Sequence, residues 1–411
     1  MGVLFCISGI GSGHVSRCLP LIEALTADGH ECMAAVTGYR AGSLLDGICE
    51  VVTPPPEFRE RVAPVASDIP PFLLIPGLMA VPSAYQRDPV EGLKATVEFF
   101  GGVIDEFRPD LVVIDQVLGV APLAMAVGVP VVQVTHGPFL PDFGPWAEES
   151  LVSDPRIEIT PVDTILEEAF HAVTDQIPSI DDLMRGELIL IPCHPSFGTC
   201  EGAFHYRSDR LPEPRRESSD DQGPPMVLSY LSFRARELGT DVIRGILGAG
   251  CRAVVVDGEE YELPEDLAGN PMVEVLGRVP IEDLLSEAVA IVHGGGSVLT
   301  QEAVAAGVPQ VAIPRNTEQG VTATALERLG AGVVTAVSSA PMEAVEISGG
   351  FTTLGHTSVE ELEPRITSAL IELVDNERAS AVAYSLGDEI RALPSVADAV
   401  AQIETLLGTQ A

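Results

Sequence analysis

The sequence predicts an α/β protein built from two doubly wound parallel sheets that face each other across a cleft, and three observations carry this expectation. The chain has 411 residues, too many for one ordinary core and suited to two. Short apolar runs alternate with amphipathic helical stretches in two sets, one before residue 136 and one after residue 226, the pattern of parallel strands joined by crossover helices. Between the sets lies SDRLPEPRRESSDDQGPP, residues 208–225, polar, charged and proline-rich, which reads as a linker.

In order along the chain, VLFCISG (3–9) reads as a strand, followed by the glycine loop GIGSGH and then VSRCLPLIEALTADGH, with helical spacing at Leu19, Ile22 and Leu25 and a stop at Gly29. ECMAAVTG (31–38) is a second strand, DLVVID (110–115) a third, APLAMAVGV (121–129) a helix and PVVQVTH (130–136) a further strand. The second set runs MVLSYLSF (226–233), DVIRGILGAG (241–250), CRAVVVDG (251–258), PIEDLLSEA (280–288), VAIVHGGG (289–296), SVLTQEAVAAGV (297–308), PQVAIPR (309–315) and TATALERLGAG (322–332). The tail 372–407 reads as two helices broken at Pro394. Two Rossmann-like domains follow, 1–212 and 226–387, joined by a linker over 213–225. Ligands of such sheets bind beyond the carboxyl ends of the strands, which puts GIGSGH on one wall of the cleft and HGGGS on the other. Segments 54–92 and 136–190 fall outside the sheet pattern.

Composition excludes several classes of function. The formal charge is −37 and the only lysine is Lys94, so the average surface repels phosphate backbones and anionic lipid, and nucleic acid is not an expected partner. No run reaches the length of a membrane span, and the apolar start lacks the basic flank of a signal peptide, so a cytoplasmic protein without stable membrane insertion is expected. Seven cysteines without CxxC spacing fit reduced thiols better than disulfides or a zinc site, and no metal is implied.

Two segments carry chemistry. In HGGGSVLTQEAVAAGVP a strand ends at His293, three glycines let backbone amides approach a ligand, and Ser297 can cap the helix that follows. Such a helix start suits a phosphate, although a plain strand-to-helix turn has the same composition. Glu318 and Gln319 follow the next strand on the same rim and suit the paired hydroxyls of a sugar. In GSGH, His14 is either a base or a residue that secures a tight turn. Asp115 ends its strand toward the cleft, whereas Asp110 at the strand's start would be remote from it.

The segment 277–333, with VP before LL, a His-Gly-Gly loop, EA and AAGVP on one helix and then an acid-Gln pair, resembles the donor-binding region of the family 1 nucleotide-sugar glycosyltransferases, of the bacterial natural-product and macrolide type. Weaker resemblance extends through GHVSRCLPLIEALTADGHE, RPDLVVID and LPSVADAVAQIETL. The resemblance implies a GT-B fold with a helix over 388–407 crossing back to the first domain, which would bind the acceptor, while the second binds the donor. It implies that His293 and the amides of Gly295 and Ser297 hold the donor diphosphate, with Gly296 and Val298 as alternatives because the interval to Glu302 is one residue longer than usual. Glu302 would reach the ribose and Glu318 and Gln319 the sugar. Arg278, with Val279 beside it, falls where many members stack an aromatic ring on the base, leaving UDP and dTDP donors both open. It implies His14 as the base and Asp115 as its partner, with Gly11, Ser12 and Gly13 in the loop near the reaction centre. Phe72, Met79, His136, Phe139, Phe143 and Trp146 are candidates for the acceptor wall.

Implied, too, are an inverting displacement and no resident cofactor, the nucleotide sugar being a co-substrate. No metal is expected, since no DxD motif lies near the donor loop. The partners expected are the donor and a small acceptor, with the protein a monomer or homodimer. The opening GSGHVSRCL is also similar to nucleotide-sugar hydrolases, so a hydrolase or epimerase of the same architecture is the rival. A nicotinamide enzyme is disfavoured because no acidic residue ends the second strand to hold a ribose. Segment 338–357 is longer than the family usually has there.

Overall fold

In a computed structural model of the chain, the residues described are 1–9, 12–38, 42–62, 89–136, 167–171, 178, 181–183, 185–215, 223–230, 238–256, 262–277, 279–314, 317–337, 356–357, 361–374 and 376–409. The first sheet has seven strands, β1 (Gly2–Ile7), β2 (Glu31–Val36), β3 (Glu50–Val52), β4 (Leu111–Asp115), β5 (Val131–Val134), β6 (Leu188–Ile191) and β7 (Phe204–His205), in the order β3-β2-β1-β4-β5-β6-β7. The second has six, β8 (Met226–Tyr230), β9 (Arg252–Val256), β10 (Val273–Leu276), β11 (Ala290–His293), β12 (Gln310–Ala312) and β13 (Gly332–Val334), in the order β10-β9-β8-β11-β12-β13. Every pairing in both sheets is parallel. The strand order reverses between β1 and β4 and again between β8 and β11, and these switch points are where doubly wound sheets open a crevice. A short parallel pair, β14 (Ala336–Val337) with β15 (His356–Thr357), lies outside both sheets.

The α-helices among the described residues are α1 (Ser12–Ala27), α2 (Pro56–Arg61), α3 (Pro89–Phe107), α4 (Val120–Ala126), α5 (Gly239–Gly248), α6 (Ile281–Leu285), α7 (Ser297–Ala305), α8 (Thr317–Leu329), α9 (Leu362–Val374), α10 (Glu377–Arg391) and α11 (Val396–Thr409). Among the described residues no helix is long and apolar enough to cross a membrane.

Alternation along the strands decides which face each side chain joins. Val3, Phe5 and Ile7 of β1, with Leu111 and Val113 of β4, pack in one layer with Val15, Cys18, Leu21 and Leu25 of α1. Leu4, Cys6, Val112 and Ile114 point the other way, into a layer with Val97, Phe100 and Ile104 of α3 and Ala121 of α4. Such burial on both faces is why these strands read as continuous apolar runs. Asp115 continues the Leu111–Val113 series, so its carboxylate falls on the α1 face.

Several elements, α3 and β10 among them, have no counterpart in the sequence expectation, and three further differences concern the sheet edge and the closing helices. Leu188–Ile191 is a sheet strand, although the end of 136–190 reads as lying outside the pattern. Helix α9 has no counterpart among the expected elements. The returning helix begins at Val396: residues 388–391 belong to α10, whose Ala383, Leu386 and Ile390 pack with Val304 and Ala305 of α7. Proline cannot continue the helix across Pro394, and beyond it Val396, Ala399, Val400, Ile403 and Leu407 of α11 join the α1 layer.

Candidate active site

The glycine loop after β1 is fixed by its neighbours. Ser8 N–H donates to the Asp115 carbonyl at 3.0 Å, Thr37 N–H to the Ile7 carbonyl at 3.2 Å and Gly9 N–H to Thr37 Oγ1 at 2.7 Å. A Cβ on Gly9 would lie 1.9 Å from the Gly38 nitrogen, so only glycine permits the two loops to cross this closely. The chain then enters α1, which brings His14, Arg17 and Cys18 over the end of β4.

There His14 Nδ1 lies 2.9 Å from Asp115 Oδ1. Asp115 is fully buried, and the His14 side chain keeps 14% of its surface exposed. Arg17 is also buried and completes the group: its Nε donates to Asp115 Oδ2 at 2.9 Å and its Nη2 to Asp115 Oδ1 at 2.8 Å, a two-point pair of the strong kind. The same Nη2 stands 2.9 Å from His14 Nδ1. Burial works to push the Asp115 carboxyl up, but the charges of Arg17 and His14 and their hydrogen bonds outweigh it and hold the group well below the usual carboxylate range. Asp115 is therefore an anion, and the His14 tautomer with its hydrogen on Nδ1 donates to it, leaving Nε2 as an acceptor. Gln116, next in the chain, has φ of +53°, a left-handed turn rare outside glycine. Asp110, by contrast, accepts from Gly2 N–H at 2.8 Å at the far end of the sheet.

On the second sheet His293 ends β11 on the face opposite Val292, the face that looks onto α7, and Gln310 of β12 lies on the same side. The imidazole is wholly buried. Its Nε2 is 2.8 Å from Gln310 Oε1, Gln310 Nε2 donates to the Thr300 carbonyl at 3.1 Å, and Gly295 N–H donates to His293 Nδ1 at 3.1 Å. Burial lowers the imidazole to about 4, with the Gln310 bond only partly opposing it, so the ring is neutral with Nε2 as donor. This arrangement corrects one expectation. His293 and the Gly295 amide are expected as diphosphate contacts, but each satisfies the other, and the ring shapes the loop from behind. Gly295 has φ of +79°, and a Cβ there would sit 3.1 Å from the Gln319 carbonyl, so glycine is required.

Gly296, the N-cap of α7, Ser297 and Val298 are half-buried. The first-turn amides of α7 lack intrahelical acceptors and form the anion-binding end of that helix. The Gln319 side chain lies against Gly294, on the same loop. Glu302, half-buried on α7, has its carboxyl pushed up to about 8 by burial and by the charge of Glu282. Val279 is half-buried just before α6.

His136 corrects a second expectation. It is expected on the acceptor wall, but it is 2% exposed and its Nε2 is 3.3 Å from Arg17 Nη1, because the end of β5 turns it toward the buried guanidinium. Gly13 is exposed at the start of α1. Gly11, Phe72, Met79, Arg278, Phe139, Phe143 and Trp146 lie outside the described residues, as do residues 338–355 and the side chains of Ser12 and Glu318. Arg17 is the residue that sequence reasoning missed. Its spacing of three from His14 puts both on one helix face, and that was the available signal.

The two sheets have the strand order of the GT-B fold, and comparison with known proteins bears this out. The structure of CalG4, the calicheamicin glycosyltransferase, superimposes with a TM-score of 0.70 over 99% of this chain and 98% of that one at 20% identity. The glycosyltransferase VinC, solved in complex with dTDP, gives 0.67 over the whole of both chains at 22% identity. Residues 252–354 match the family described as erythromycin biosynthesis protein CIII-like, C-terminal domain. The elloramycin glycosyltransferase ElmGT of Streptomyces olivaceus is 36% identical over 138 residues, which are 34% of this chain and 29% of that protein. The chain thus has the GT-B fold and is similar in sequence to antibiotic glycosyltransferases, while the matched stretch spans less than a third of that relative's length.

Proposed function

We propose that this chain is an inverting, metal-independent glycosyltransferase that moves a sugar from a UDP- or dTDP-sugar to a hydroxyl of a small natural-product acceptor. The observation that carries the reading is the contact between His14 and buried Asp115 at the switch point of the first sheet. In this reading residues 1–212 take the acceptor and 226–387 the donor. His14 Nε2 accepts the proton of the acceptor hydroxyl as its oxygen attacks the anomeric carbon. The bond from that carbon to the diphosphate oxygen breaks, and the sugar leaves inverted. Asp115 orients the ring through Nδ1 and stabilises the imidazolium as it forms.

Charge developing on the leaving diphosphate is met by the Gly296 N–H and the first-turn amides of α7, with Ser297 and Val298 nearest the turn. Glu302 takes the ribose, Gln319 and Glu318 the sugar hydroxyls, and Arg278 with Val279 the base. The dTDP bound by VinC supports a nucleoside diphosphate in this role. The protein works in the cytoplasm, as a monomer or homodimer, without a resident cofactor.

The test is to incubate wild type and His14→Ala with UDP- and dTDP-sugars and a panel of hydroxylated aglycones, in EDTA and in magnesium. The expected result is donor-dependent thermal stabilisation of both proteins and a glycoside of inverted configuration from wild type alone, with EDTA harmless. Strict dependence on added metal overturns the metal-independent mechanism, and release of free sugar whatever the acceptor overturns transfer.

A further inference from the structure

Arg17 is not needed to complete a His–Asp pair, yet its guanidinium is buried and makes two charge-assisted hydrogen bonds to Asp115 while standing 2.9 Å from His14 Nδ1. An unpaired buried carboxylate would draw a proton onto any adjacent imidazole. With Arg17 in place that charge is already balanced, and the unit of His14, Asp115 and Arg17 is neutral when the ring is neutral. On taking a proton it becomes a buried cation facing a reaction that releases an anion.

Nη2 cannot donate to His14 Nδ1 while that nitrogen carries its own hydrogen. In the tautomer that presents Nε2 as acceptor, Nη2 keeps its bond to Asp115 Oδ1; in the opposite tautomer Nη2 can donate to Nδ1 as well, and Nε2 becomes a donor. We propose that Arg17 is a positioning residue: by balancing the Asp115 charge, it sets whether the acceptor hydroxyl meets a neutral or a protonated His14 ring. This assignment rests on the glycosyltransferase reading above.

The other titratable groups around the unit come from five elements: Cys18 on α1, with Sγ 3.6 Å from Asp115 Oδ2, Cys6 on β1, His136 beyond β5, Cys193 beyond β6 and Tyr206 beyond β7. Burial pushes the Cys6 and Cys18 thiols and the Tyr206 phenol up, and Cys193 to about 12. These four stay protonated and add no charge in the neutral range. His136 places a second imidazole 3.3 Å from the guanidinium, so its resonances need separate assignment.

The experiment follows the ring nitrogens of His14 by 15N NMR across pH in the full chain, with His14→Gln assigning the signals, alongside the pH profile of kcat/KM. In Arg17→Met, folding being checked by circular dichroism and melting, the ring is expected to titrate at least about one pH unit higher than in wild type. The acidic limb of the profile should move with it, and activity lost at neutral pH should return at pH 9. Arg17→Met with Asp115→Asn removes both charges and should bring the titration back toward wild type. If Arg17→Met does not fold, Arg17→Lys decides: the retained cation should hold the midpoint at the wild-type value while kcat falls.

A midpoint that stays put or falls in Arg17→Met, one that rises in Arg17→Lys, or a loss of kcat/KM by the same factor at every pH overturns the proposal and leaves Arg17 a packing residue. The ring titration is read without turnover. A wild type that transfers no sugar therefore counts against the proposed function, while a fixed titration in an active enzyme counts against Arg17 alone.

Discussion

Replacing Glu302 by glutamine should stabilise the protein, and by an amount that depends on pH. Burial, with Glu282 adding to it, raises the carboxyl from 4.5 to about 8. Between those values the folded state holds a proton that the unfolded chain has released, so this group's contribution is most favourable below pH 4.5 and is lost as pH rises through 8. At about 1.4 kcal/mol per pH unit the full cost above pH 8 is about 5 kcal/mol. Glu302 is only half-buried, and solvent screening reduces the figure to about 2–3 kcal/mol. Glutamine has nearly the same shape and no charge. Glu302→Gln should therefore melt about 4–10 °C above wild type at pH 9 and within a degree or so of it at pH 5. Differential scanning fluorimetry at pH 5, 7 and 9 measures this directly. An increment equal at pH 5 and pH 9, or a lower melting temperature at pH 9, would refute the reasoning.

Two further outcomes follow from buried groups. Asp115→Asn leaves the Arg17 guanidinium without its counter-charge and should cost about 3–5 kcal/mol of stability, measured by urea unfolding at pH 7; a cost below 1 kcal/mol would mean the pair is solvated. His293, lowered to about 4 against 6.5 in the unfolded chain, contributes stability that is whole above pH 6.5 and is lost as pH falls toward 4, about 3 kcal/mol in all. Melting curves across that range should show an acid-side loss that His293→Gln diminishes, and an unchanged slope in the variant would show that other groups carry it.

The parts legible in the sequence were those set by local pattern. Gly29 and Pro394 mark helix ends by backbone geometry alone, and the apolar run before Asp115 marks a strand, while the pairing of that carboxylate with His14 is what the family resemblance implies. The unread parts depend on contacts between distant segments. Nothing near His293 shows that Gln310, on the neighbouring strand, takes its Nε2, or that the Gly295 amide turns back onto its Nδ1. Those bonds arise only when β11 and β12 pair, and they reverse the role the loop composition suggests. His136 reads as a strand-end residue facing a cleft, and only the buried guanidinium of Arg17 explains why it turns inward. Helix α9 has apolar residues at Leu362, Ile366, Ala369, Leu370 and Leu373, a readable stripe, yet it belongs to neither strand–helix set and the alternation did not demand it.

The packing of α11 against α1 has a consequence for how the protein is made. The layer that seats the His14 helix is closed by Val396, Ala399, Val400, Ile403 and Leu407, residues the ribosome adds only after the whole second sheet. Throughout that interval the first sheet is translated but one of its apolar faces is unfinished. The half of the molecule made first is the half completed last, so a chain cut short before Val396 should emerge as a client for chaperones and proteases with the helix that carries His14 loose.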